Sequence, residues 1–467
     1  MTLSRGWKVL GVCSIAVFLV SLDVTIVNIA LPEIVRDFKS DQRTLSWVLS
    51  GYNIAFAACL LTSGRLADRF GRRKIFFLGL LTFTVASALC AIAPGTETLI
   101  AARVVQALGG ALIMPASLAL VLPEFPIERR SAAIGVWGAV GGLAAAAGPI
   151  LGSVLIDTIG WRGLFVMNAP LCLLAYAIGR RLLVESRDPR STGLPDILGA
   201  LLAMSSVALI VLGIVEGPAW EWTSGRTIGV FVAGAVLLGV FLVRCARTPD
   251  PVLDLSLFEK RFFWVANSSA LLFSAGFFGM FYVNVRFLRE VWEYSVVGAG
   301  LAFAPGPLVS AIVAAPAGRL ADRYGHRVVV VPGALLFAAG IAWIVAFVPD
   351  HPDYWRTYFP AFLLVGVGVG LTISTIGAAS NAFLPPHRFA MGGAVNATLR
   401  QIGSAFGVAI VVAIVGDAIT PTESDTAFTF VGIAALASGL LMWALYRPPL
   451  AAVADGATSD AVLAPLH

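Results

Sequence analysis

Three charged side chains stand inside long apolar stretches of this sequence: Asp23, Arg103 and Arg400. A carboxylate at membrane depth is expensive and marks a candidate functional site. Burial disfavours its charged form, so Asp23 suits binding and releasing a proton. Arg103 lies in Arg103-Val104-Val105-Gln106-Ala107-Leu108-Gly109-Gly110. Counted at about 1.5 Å per residue from the expected outer helix ends, Asp23 and Arg103 lie about 10 and 8 Å deep. Similar depth permits them to pair. Arg400, in Asn396-Ala397-Thr398-Leu399-Arg400, needs a counter-charge, a carbonyl or an anionic ligand. A different polar pattern occurs twice. Residues 64–74 read GRLADRFGRRK and residues 318–328 read GRLADRYGHRV, identical at eight of eleven positions and 254 residues apart.

The elements that must carry these residues follow from composition. The chain has 467 residues, 58% hydrophobic and only 13% charged, against about 25% charged in ordinary soluble domains. A soluble enzyme, a disordered protein and a secreted disulfide scaffold are all disfavoured. Fourteen apolar runs are long enough to span a bilayer, which takes about 20 residues: 8–30, 45–66, 75–94, 98–122, 132–156, 162–182, 196–216, 226–246, 263–284, 296–318, 328–348, 357–381, 393–416 and 427–446. Their polarity does not alternate, so they are expected as helices and not barrel strands. Asp23 is the only carboxylate well inside any of these spans.

With the N-terminus inside, twenty-two of the 32 Lys and Arg residues fall in loops or tails on the cytoplasmic side and eight on the other. That bias places both termini in the cytoplasm and explains the net charge of +5 without nucleic acid. Five cysteines and four histidines are scattered without metal-ligand spacing, so neither a disulfide framework nor a metal is expected. All four histidines are expected in loops or the tail. No paired carboxylates or His-Asp set suggests an enzyme.

The repeated loops follow the second and tenth spans. Two six-helix halves plus two inserted helices account for that offset, and a site between parallel halves near the midplane is expected. The expected units are 1–184, an N-terminal six-helix bundle; 185–261, a linker with two extra helices; 262–446, a C-terminal six-helix bundle; and 447–467, a disordered cytoplasmic tail.

These motifs resemble those of the major facilitator superfamily, and more narrowly its fourteen-helix drug:proton antiporters, over roughly residues 8–446. Carriers of the resemblance are Gly64–Lys74, Leu22-Asp23-Val24-Thr25-Ile26-Val27-Asn28-Ile29-Ala30-Leu31-Pro32, the Arg103 motif, and a weaker match around Gly148-Pro149-Ile150-Leu151-Gly152. Ala107 stands where the family pattern has Gly, and Ala144 and Ser153 replace family glycines. Asp196-Ile197-Leu198-Gly199 opens the seventh span as in that group.

The resemblance implies an all-α integral membrane protein with the major facilitator fold. It implies Asp23 and Arg103 in proton coupling, and Gly64, Asp68, Arg69, Gly71 and Arg72 with Asp322 and Arg323 as a conformational gate. Gly148, Pro149 and Gly152 form the antiporter motif. Asn28, Asn53, Gln106, Asn267, Phe273, Phe277, Tyr282, Asn396 and Arg400 are candidates to line a cargo cavity. The implied activity is proton-coupled efflux of a hydrophobic or amphipathic drug or antibiotic, cationic or zwitterionic, across a bacterial cytoplasmic membrane. The protein would be a monomer driven by the proton motive force without a cofactor. The alternative is proton-coupled transport of a metabolite or a monovalent cation.

Overall fold

Backbone N–H and C=O groups find no water in hydrocarbon, so each apolar run must satisfy them internally. A computed structural model describes residues 5–39, 42–187, 196–249, 251–385, 388–416 and 419–447, without some side chains at helical positions. The expected tail 447–467 lies outside the described residues, apart from Arg447. Fourteen long helices cross the molecule, and no strand occurs among the described residues. They are α1 (Arg5–Phe38), α2 (Gln42–Phe70), α3 (Arg72–Ala91), α4 (Thr96–Val121), α5 (Arg130–Ile159), α6 (Trp161–Val166 and Asn168–Leu182), α7 (Ile197–Trp220) and α8 (Gly225–Arg247). The remainder are α9 (Arg261–Arg286), α10 (Val296–Phe303 and Pro305–Tyr324), α11 (His326–Phe347), α12 (Phe359–Asn381), α13 (Phe389–Val415) and α14 (Pro421–Leu445).

Helix ends depart from the sequence expectation in informative ways. Helix α1 runs eight residues past its expected end. There Asp37 accepts hydrogen bonds from Arg162 and from the Trp161 indole N–H. These donors hold its carboxyl below the usual carboxylate range. Helix α7 continues through Gly217-Pro218 and stops only at Glu221, whose φ is +68°. Glu216 is thereby enclosed within the helix, 8% exposed, so Asp23 is not the only carboxylate well inside a span. His326, expected in a loop, is instead the first residue of α11 and is buried.

Packing divides the helices by the repeat. Helices α1–α6 are joined by α3 on α4, α2 on α4, and α1 on α5 and α6. Helices α9–α14 repeat the scheme with α11 on α12, α10 on α12, and α9 on α13 and α14. Contacts between the two sets run through α5 with α10 and α2 with α13, a pair of seams related by the repeat, and through α5 with α12 and α4 with α13. Helices α7 and α8 pack on each other, and α7 lies along both α2 and α13. The start of α7 is fixed by Asp196, which accepts the Gly199 N–H at 2.8 Å and pairs with Arg244 of α8 at 2.7 Å.

Candidate functional site

Asp23 and Arg103 are each 1% exposed and form an ion pair between α1 and α4. Around this pair the donors and acceptors close. Oδ1 of Asp23 accepts from Gln106 at 2.9 Å and from Asn168 of α6 at 3.2 Å. Ser87 of α3 accepts from the same two amides, at 3.1 and 2.8 Å, and donates to the Phe165 carbonyl at 3.1 Å. Arg103 also donates to Oε1 of Gln106 at 2.7 Å and to the Val48 carbonyl of α2 at 3.4 Å. The face of its guanidinium lies 4.1 Å from the centre of the Tyr52 ring, a cation–π contact. Three helices thus meet on the carboxylate, and α2 and α3 join the network through its partners. Such saturation makes the ionised form tolerable at membrane depth. A proton arriving at Asp23 would release Arg103 and disturb all five helices.

The segment expected as an antiporter motif packs directly behind this site. A side chain at Gly148 of α5 would meet Oγ1 of Thr25, two residues from Asp23, at 2.3 Å. Only glycine lets α5 approach α1 there. Gly152 is buried, and the Pro149 side chain lies outside the described residues.

The two repeat loops form reciprocal latches. Asp68, at the end of α2, accepts from Nε and Nη2 of Arg72 at 3.1 and 2.9 Å and from the Met391 N–H at 3.2 Å, in the first turn of α13. Arg72 also donates to the Ala119 carbonyl at 3.3 Å. Asp322, at the end of α10, accepts the N–H groups of Ser131 and Ala132 in the first turn of α5, both at 3.1 Å. Each aspartate therefore caps a helix of the opposite half, where carboxylate and helix dipole attract. His326 replaces Arg72 in the second copy, and its Nε2 lies 2.9 Å from the Ser131 hydroxyl. Glycines make the approach possible. A Cβ on Gly64 would lie 2.4 Å from that of Ala394, and one on Gly318 2.4 Å from the Ser131 carbonyl oxygen. Gly71 takes φ +111° to start α3, where Glu185 accepts the N–H groups of Arg73 and Lys74. Arg69 and Arg323 lie beside the rings of Phe70 and Tyr324.

The expected cargo residues divide. Gln106 belongs to the Asp23 cluster and is 0% exposed. Asn396 donates to Asn267 at 3.0 Å, and Asn267 to the Phe263 carbonyl, so these two join α13 to α9. Phe273 is buried edge-on against Phe337 of α11, inside the second half. Phe277 and Tyr282 are partly buried against the same core. Asn53 and Arg400 are partly exposed, and the Asn28 side chain lies outside the described residues. Sequence reasoning missed Asn168, Ser87 and Tyr52. They are uncharged, and only tertiary contact identifies them.

The comparisons agree with this architecture. The Major Facilitator Superfamily model matches residues 13–313 and 268–465. The chain therefore belongs to that superfamily and is a multi-pass membrane protein. It is 36% identical over 413 residues to the puromycin resistance protein pur8 of Streptomyces alboniger, covering 87% of this chain and 81% of that protein. It is 32% identical over 446 residues to the methylenomycin A resistance protein of Bacillus subtilis, covering 95% of each. A crystal structure of the human organic anion transporter MFSD10 shares the fold, with TM-score 0.70 and 16% identity over 94% of this chain and 100% of that one.

Proposed function

We propose that the protein exports hydrophobic or amphipathic drugs or antibiotics across a bacterial cytoplasmic membrane in exchange for protons, as a monomer working by alternating access. The observation that carries this reading is the Asp23 cluster: one buried carboxylate bonded by residues of α4 and α6, whose partners in turn bond to α2 and α3, so that its protonation and its packing are linked. Relatives named for resistance to puromycin and methylenomycin A support drug export as the activity. The twin aspartate latches supply the element that opens and closes one side of the molecule. Asp23 takes its proton from outside, the halves rock, and the proton leaves inside as cargo moves outward. The protein needs no resident cofactor for this; the gradient is the energy source.

The test uses everted membrane vesicles containing the full chain. Puromycin, methylenomycin A and ethidium are added in turn, and proton release is followed with a pH-sensitive dye. The wild type is expected to release protons on adding at least one compound, and Asp23→Asn to lose at least 90% of that signal. Full proton-driven transport by Asp23→Asn would overturn the assignment. Proton release on adding Na⁺ or K⁺ alone would mark a cation antiporter instead.

A further inference from the structure

Arg400 is not used in the mechanism above. It stands eleven residues into α13, about 16 Å along the helix, and its Nε is buried without a hydrogen-bond partner. Packing fixes what surrounds α13. Ala390 and Ala394 face Gly64 of α2, and Gly393 faces Leu118 of α4. Asn396 bonds to Asn267 of α9, and Gly403 lies against the Leu271 carbonyl of the same helix. Ile402 and Ala405 pack with Ala57 and Ala58 of α2 and with Val207 and Val211 of α7. At 3.6 residues per turn, Arg400 falls between the side of α13 that meets α4 and the side that meets α9. That is the face turned to the space between the halves. Arg400 is partly exposed there, unlike the saturated Arg103.

Among the described residues, neither intramembrane carboxylate answers this charge. Asp23 is engaged by Arg103, Gln106 and Asn168. Glu216 belongs to α7, which packs on the Ile402 side of α13, opposite Arg400. A guanidinium at membrane depth attracts anions strongly, and its planar fork matches a carboxylate through two parallel bonds.

We infer that Arg400 recognises the cargo, and that the cargo is an amphipathic organic anion whose carboxylate pairs with this guanidinium between the two halves. The inference rests on the export reading and narrows it, replacing the cationic or zwitterionic compound expected from sequence.

The test is equilibrium binding to the purified full chain in detergent, without a gradient. Fluorescein serves as the anionic probe, fluorescein ethyl ester as its carboxylate-blocked counterpart, and ethidium as the cation, all followed by fluorescence anisotropy. The wild type is expected to bind fluorescein at least tenfold tighter than either other dye. Arg400→Lys keeps most of that affinity. Arg400→Gln weakens fluorescein at least tenfold and leaves ethidium unchanged, and Arg400→Glu reverses the preference. Absence of fluorescein binding, a wild-type preference for ethidium, or equal loss of both dyes in Arg400→Gln overturns the proposal. If the variants lose their monodisperse peak on size exclusion, the comparison of fluorescein with its ester on the wild type still decides. Failure of the vesicle experiment strikes the export reading; failure here strikes only the anion.

Discussion

At the scale of single residues, Asp23 and Arg103 were legible in the sequence because charge is conspicuous among apolar neighbours. Their depths, counted from the expected span ends, agree with the pair that forms, although α1 itself runs on to Phe38. The remaining members of the cluster were not legible in the same way. A Ser or Asn in a span has no distinguishing pattern until tertiary contact shows which acceptor it serves, as with Ser87 and Asn168. Gln106 was legible as polar but not in its role, since its amide could have faced the cavity as readily as Asp23. A buried ion pair costs more to break than to replace. Arg103→Leu leaves Asp23 without its counter-charge, and thermal unfolding in detergent should show a loss of roughly 3–5 kcal/mol. The double variant Asp23→Leu with Arg103→Leu should recover most of that loss while remaining inactive in export. A double variant as unstable as the single one would mean that the pair contributes through something other than charge compensation.

At the scale of elements, the spans were legible and their ends were not. Hydrophobic length counts residues, whereas the true end depends on what the next turn touches. Helix α1 overshoots because Asp37 finds Arg162 and Trp161, and α7 runs on through Pro218 until Glu221 turns the chain at positive φ. The repeated loop was legible as a motif, but its geometry was not, because the two copies complete helices 323 and 191 residues away. That geometry yields a specific expectation. Gly318→Val would drive a side chain into the backbone of Ser131 and Ala132, overpacking the seam by about 1–3 kcal/mol. Spin labels at the exposed positions Ile127 and Tyr324 should then report a longer separation than in the unsubstituted seam. An unchanged distance would show that the latch does not hold these ends together.

At the scale of the whole molecule, fourteen helices in two related sets were foreseeable from the 254-residue offset of one polar motif. Orientation is the matching expectation, since Lys and Arg concentrate on the side of the repeated loops. Green fluorescent protein fused after His467 should fluoresce and alkaline phosphatase fused there should be inactive; the opposite pair of results would invert the molecule in the membrane. The arrangement of the latches carries a further consequence. In a two-fold homodimer, a residue of one subunit meets a second residue of its partner and the relation is returned. Asp68 reaching the start of α13 while Asp322 reaches the start of α5 is that reciprocity written into one polypeptide. The protein is in effect a dimer whose subunits cannot dissociate, because the covalent tether holds each at a high effective concentration for the other. Contacts too slight to keep two free chains together are therefore sufficient here, and they can break and re-form every cycle without the partners ever being lost.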